Sequence, residues 1–167
     1  MKQLICLLGL ALLISSCGSE TKMTYRISGV SLSDTGPLFE GPVTLQHEFT
    51  NTLNDSLAKS GFKPEQVKAV FLRSANYTCS DSLGFDGIGS LVLQLTAENA
   101  NMLEAGVINP IPSGSKSASL KPSVEANLAD FFKQPKLYLI TDANALRDAE
   151  RELNLKADFE FEVVVSQ

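Results

Sequence analysis

From residue 25 onward apolar and polar side chains mostly alternate, and that period of two predicts a chain built of strands. Tyr25 to Leu32 (YRISGVSL) reads as a strand ended by the turn cluster Ser33-Asp34-Thr35-Gly36-Pro37. After a second turn at Gly41-Pro42, Val43, Leu45, His47 and Phe49 alternate with Thr44, Gln46 and Glu48. At Phe49 the spacing changes. Phe49, Leu53 and Leu57 share one helical face, and Gly61 with Pro64 stops that helix. Residues 67–78 return to strand through Val67, Val70, Phe71 and Tyr77, and residues 80–89 (SDSLGFDGIG) form a turn rich in Gly and Asp.

In the strand predicted over Ile88–Thr96, Leu91, Leu93 and Leu95 share one face, with Val92, Gln94 and Thr96 on the other. A short strand over Ala105–Ile111 runs into prolines and is expected at a sheet edge, since proline cannot donate to a ladder. Ser117–Leu120 is a further short strand. Ser123 is placed to cap a helix with the apolar face Val124, Leu128, Phe131 and Phe132. Leu137–Thr141 reads as strand, and Ala145–Leu155 favours helix. In the last element Phe159, Phe161, Val163 and Val165 alternate with Glu160 and Glu162. Seven or eight short strands with two short helices in their connections predict a mainly β fold, a β-sandwich. The alternative is an α+β antiparallel sheet with helices on one face.

The first residues follow a different pattern. Lys2 precedes an unbroken apolar run from Leu4 to Ile14, and Ile14-Ser15-Ser16 leads into Cys17. A basic start, an apolar stretch and small residues make a secretory signal peptide. Eleven apolar residues fall short of the roughly 20 needed to cross a bilayer core. With cysteine at the cleavage point, the segment resembles the lipobox of bacterial lipoproteins. The resemblance implies removal of residues 1–16, a diacylglycerol on the Cys17 thiol and an acyl chain on its new amine. Gly18 stands where aspartate would mark retention in the inner membrane, so the resemblance implies the outer membrane. Residues 17–24 are then expected to be the lipidated cysteine and a polar, flexible tether spanning at most about 25 Å, and residues 25–167 a single domain. Over residues 42–166 the order of elements resembles small uncharacterised lipoprotein domains of Gram-negative bacteria, a resemblance that implies no activity.

Charge narrows the partners. Loss of Lys2 leaves 13 basic against 19 acidic side chains, a net of −6. The charges are scattered, with no Lys/Arg cluster of the kind that phosphate backbones reward, so nucleic acid is not expected. The expected partners are the membrane, through the lipid, and another envelope protein.

Few residues offer chemistry. Cys6 leaves with the leader and Cys17 takes lipid, so Cys79 is the sole thiol of the folded part and can form no intramolecular disulfide. With His47, the only histidine, it makes the one nucleophile–base pair available to a hydrolase, and Asn76 or Asp81 could orient it. His47 instead lies in the apolar parity of its strand, and a lone cysteine at a strand end is usually a small core hydrophobe. Asp81 and Asp86 bring two carboxylates into one turn and are the candidate calcium ligands, although the alternating acids of an EF-type loop are missing. Asp55-Ser56-Leu57 and Asp81-Ser82-Leu83 resemble an O-glycosylation acceptor of exported proteins, which makes Ser56 and Ser82 candidate modification sites. No zinc, phosphate-loop or serine-hydrolase motif occurs, and no cofactor beyond the acyl groups is expected. Taken together, the residues predict a lipid-anchored, non-enzymatic binding or assembly module. The alternatives are an envelope hydrolase using Cys79 and His47, or a carrier holding an apolar ligand inside the sandwich.

Overall fold

The computed structural model describes residues 19–98 and 100–167, so the expected leader and lipidated Cys17 lie outside the described residues. The strands are β1 (Glu20–Asp34), β2 (Gly41–Thr50), β3 (Val67–Cys79), β4 (Ile88–Ala97), β5 (Ala100–Ile108), β6 (Ser117–Pro122), β7 (Lys136–Ala145) and β8 (Leu153–Ser166). One helix, α1 (Leu53–Lys59), and two 3-10 turns, Pro64–Gln66 and Phe131–Lys133, lie in the connections.

The strands pair in the order β1-β8-β3-β6-β5-β4-β7-β2, antiparallel throughout. The sheet folds over at β6, whose residues 117–120 pair with β3 while Lys121 and Pro122 pair with Val107 and Gly106 of β5. A Cβ on Gly106 would lie 3.1 Å from the Lys121 carbonyl oxygen, so the missing side chain lets the two layers join there. The layers are therefore β1-β8-β3-β6 and β5-β4-β7-β2, with β1 beside β2 along the opposite edge. That order is the eight-stranded jelly roll, a form of β-sandwich.

The period-two reading explains the core. Leu91, Leu93 and Leu95 of β4 face Phe159, Phe161, Val163 and Val165 of β8 across one contiguous cluster of buried side chains. Glu160 and Glu162 point outward to Arg26, Arg73 and Lys22. Between the layers the buried Tyr77 hydroxyl of β3 shares a hydrogen bond of 2.9 Å with Thr141 of β7.

Several sequence expectations are corrected, each for a local reason. Phe49 stays in β2 opposite Leu137, and α1 begins only at Leu53. Asn51 makes the break: its side-chain oxygen accepts the Leu53 N–H at 2.9 Å, and its amide donates to the Phe132 and Gln134 carbonyls. The helix expected from Ser123 is only the short turn at Phe131–Lys133, and Val124 is 76% exposed. Here the backbone is committed to β3, with Leu128 donating to the Val70 carbonyl and the Asn127 side chain accepting the Val70 N–H. Ala145–Leu155 is no helix either. Ala149 exchanges backbone bonds of 2.9 Å with Leu38, and β8 starts at Leu153. β5 begins at Ala100 rather than Ala105 and borders its layer only where β6 does not reach it. The tether is shorter than expected, because Glu20–Thr24 already pair with Glu162–Ser166.

The sandwich has two unlike ends. Ser19, Gln167, the α1 region (51–66) and the 123–135 crossing occupy the N-terminal end. Loops 35–40, 80–87, 109–116 and 146–152 occupy the other, here called the loop end.

Candidate functional site

At the loop end the four loops are bonded to one another. The Phe85 N–H donates to the Ser115 carbonyl at 2.8 Å, the Leu146 N–H to Gly87 at 2.8 Å, and the Ile111 N–H to Gly89 at 2.8 Å. Leu38 and Ala149 close the remaining gap. Gly84 allows the tightest approach: its φ is +59°, and a Cβ would stand 2.5 Å from the Ser115 carbonyl oxygen.

Arg151 organises this end from beneath. Its guanidinium, on a side chain only 9% exposed, donates to the Gly84 carbonyl at 3.0 Å and the Asp86 carbonyl at 2.6 Å. It also pairs with the Asp81 carboxylate at 3.3 Å. The other Asp81 oxygen accepts the Leu83 N–H at 2.7 Å, and that bond, with help from Arg151, holds the Asp81 carboxyl below its ordinary range. Asp86 pairs with Arg147 at 2.6 Å.

These contacts lend the calcium expectation no support. Asp81 and Asp86 do face one loop, but both carboxylates and the nearby carbonyls are already taken by guanidinium groups. The cations beside the two carboxylates are Arg151 for Asp81 and Arg147 for Asp86. Among the described residues no three His, Cys, Asp or Glu side chains gather in a metal-holding group.

What the loops leave outside is apolar. Phe39 is 68% exposed, Leu146 59% and Leu83 55%, each from a different loop. Two grooves flank Phe39. One, of about 290 Å³, is lined by Asp34, Glu40 and Val43; the other, of about 170 Å³, by Leu38, Asp148 and Glu150. Around them stand seven acids (Asp34, Glu40, Asp81, Asp86, Asp148, Glu150 and Glu152) against Lys116, Arg147 and Arg151, a local net of −4. A surface with apolar tips inside an acidic rim suits a partner with an apolar patch ringed by basic groups.

The nucleophile–base pair is not assembled. Cys79 is buried at the loop end of β3, opposite Leu155 and inside the first layer. His47 is half-buried opposite Leu139 on β2, the outer strand of the second layer. Asn76, nominated to orient the pair, instead accepts the Ser119 hydroxyl at 2.7 Å. Ser82 is exposed on the loop end, whereas Ser56 is half-buried on α1 with its hydroxyl turned to the Thr52 carbonyl. Phe39 was missed from sequence, although one signal existed. Leu38-Phe39 is an apolar pair just after a turn cluster, outside any alternating run, and only one of the two can be buried.

No family model and no curated protein sequence matches the chain. Among solved structures it is similar to FlhE, at 9% identity and a TM-score of 0.38, over 89% of this chain and 98% of that one. It is also similar to the structure of infectious bursal disease virus Gx strain, at 9% identity and a TM-score of 0.42, over 87% of this chain and 32% of that one. A third likeness is to a structure of promiscuous carbohydrate-binding modules from the β-sandwich superfamily, at 11% identity and a TM-score of 0.36, over 84% and 55% of the two chains. Likenesses of this size carry nothing about binding or activity.

Proposed function

We propose that this chain is a lipid-anchored protein of the bacterial cell envelope, held in the outer membrane by acyl groups on Cys17, and that it works as a non-enzymatic binding or assembly module. The observation that carries the binding reading is the loop end. Four loops are fastened by backbone hydrogen bonds and a buried arginine, yet they leave Phe39, Leu83 and Leu146 in solvent. Exposing apolar surface on so well-tied a platform costs stability that a bound partner would return. The anchor reading rests on the Ile14-Ser15-Ser16-Cys17 sequence. Two or more acyl chains hold a protein on a bilayer stably, where one is marginal.

The separation of Cys79 from His47 removes the support for a hydrolase. The buried side chains between the layers, from Leu91 to Phe161, occupy the space that a carried ligand would need. The test of the anchor is metabolic labelling with a fatty-acid analogue. Wild type should take the label, and Cys17→Ala should lose it and remain unprocessed or soluble. A wild-type mature N-terminus found unmodified at another residue would overturn the assignment.

A further inference from the structure

The loop end carries an inference that rests on its reading as a binding surface and names the chemistry of what it binds. Phe39 and Pro37 line both of the grooves there, so the exposed ring stands between them. Asp34 and Glu40 line the larger groove, and Asp148 and Glu150 the smaller; no basic residue lines either. The basic groups of this end lie elsewhere: Arg147 is paired with Asp86, Arg151 with Asp81, and Lys116 belongs to the 109–116 loop. Among the described residues none of the four groove acids is in an ion pair. Asp148 accepts the Glu40 N–H at 2.8 Å, and Leu38 and Ala149 exchange two backbone bonds of 2.9 Å. Those bonds tie the 35–40 loop to the 146–152 loop, so the two acidic walls are set about the ring before anything binds.

At about 290 and 170 Å³ the grooves fall below the roughly 300–1,000 Å³ of small-molecule sites, and they suit single long side chains. An aromatic ring backed by carboxylates takes a side chain with an apolar stem and a cationic head. We propose that the loop end receives a protein segment carrying two basic side chains that straddle Phe39, one in each groove. Their stems lie along the ring, one head meets Asp34 and Glu40, and the other meets Asp148 and Glu150. Guanidinium groups fit best, since they stack on a ring and fork onto a carboxylate. Charge decides the occupant: four acids with no cation of this chain beside them attract a basic segment, and the same end of a second copy would be repelled.

The test uses the full lipidated chain in uncharged detergent micelles and a series of fluorophore-labelled peptides, each with two arginines separated by a graded number of glycines. Binding is read by fluorescence anisotropy. At the best spacing the peptide should bind about tenfold more tightly than its counterpart with either arginine replaced by citrulline. Phe39→Ala should abolish that preference. Asp34→Asn with Glu40→Gln, or Glu150→Gln alone, should bring the two-arginine peptide down to the citrulline level. Glu65→Gln with Glu125→Gln, at the opposite end of the sandwich, should change nothing. Equal binding of arginine and citrulline peptides at every spacing, or an equal loss from neutralising acids at the opposite end, would overturn the inference. If it falls while a photo-crosslinker at Phe39 still captures a protein in the envelope, the loop end remains a binding surface for a partner of other chemistry. If neither peptide nor protein is held there, both readings fall.

Discussion

The two ends of this sandwich are closed by different physics. At the N-terminal end Tyr25, Phe132 and Phe161 pack edge to face, with Tyr25–Phe132 centroids 5.8 Å and Phe132–Phe161 centroids 5.1 Å apart, and α1 adds Leu53 and Leu57 beneath. At the loop end closure is polar: the backbones bond to each other and to Arg151, and large apolar side chains are left outside. Apolar packing is non-directional, so at the N-terminal end it hides the aromatic cluster, with Val124 and Met102 left exposed at its margin. Hydrogen bonds hold loops in place without hiding anything, and that leaves a surface able to bind.

The largest effect should come from breaking the apolar end. Phe161→Ala should cost about 3–5 kcal/mol, because a buried ring with three aromatic neighbours leaves a cavity. Glu160→Ala, on the outward parity beside Arg26, should leave the thermal midpoint almost unchanged. Equal shifts for the two would contradict the register of β8.

Breaking the polar end should cost less and act locally. Arg151→Ala removes two carbonyl partners and the Asp81 pair, for about 2–3 kcal/mol. Amide exchange should rise over residues 80–87 while the Phe161 cluster stays protected. The folded Asp81 carboxyl titrates below its unfolded value, so its contribution is full above the ordinary carboxylate range and fades as pH falls through the lowered value. Exchange in the same loop should therefore quicken in acid before the core opens.

Between the ends, Tyr77→Phe should cost about 1–2 kcal/mol by leaving Thr141 without its partner. Burial pushes the Tyr77 phenol above its usual value, so the folded state keeps the proton. That stabilisation is complete below pH about 10 and is lost as pH climbs above it. Alkaline titration of the melting temperature should accordingly be shallower in Tyr77→Phe. Smaller still, Cys79→Ser should cost about 1 kcal/mol, and native Cys79 should react slowly with a thiol reagent at neutral pH and quickly once unfolded. Rapid labelling of the native thiol that is lost in His47→Ala would contradict the separation of these two residues.

How much of this was legible depended on the kind of signal. Strands were readable wherever inward and outward positions alternate, as in β4 and β8, because a half-buried strand must alternate. The two expected helices failed for a shared reason. Apolar residues at helical spacing, Val124 to Phe132 and Ala145 to Leu155, also suit a crossing segment whose backbone bonds to a distant strand. Leu128 makes such a bond to Val70 of β3 and Ala149 to Leu38 of the 35–40 loop, and no local pattern announces them. The candidate site was half legible: Asp81 and Asp86 were singled out, but the cations beside their carboxylates are Arg151 and Arg147, more than 60 residues later in the chain and joined to them only by the fold.

The central claim is that the loop end, and not the anchored end, meets the partner. The direct measurement is photo-crosslinking in the native envelope, with a benzophenone side chain at Phe39 or, separately, at Ser60 of the lipidated chain. The account predicts a discrete protein adduct from Phe39 that disappears when Glu40, Asp148 and Glu150 are changed to lysine, with no adduct of that mass from Ser60. The same adduct from both positions, or none from Phe39, would contradict it.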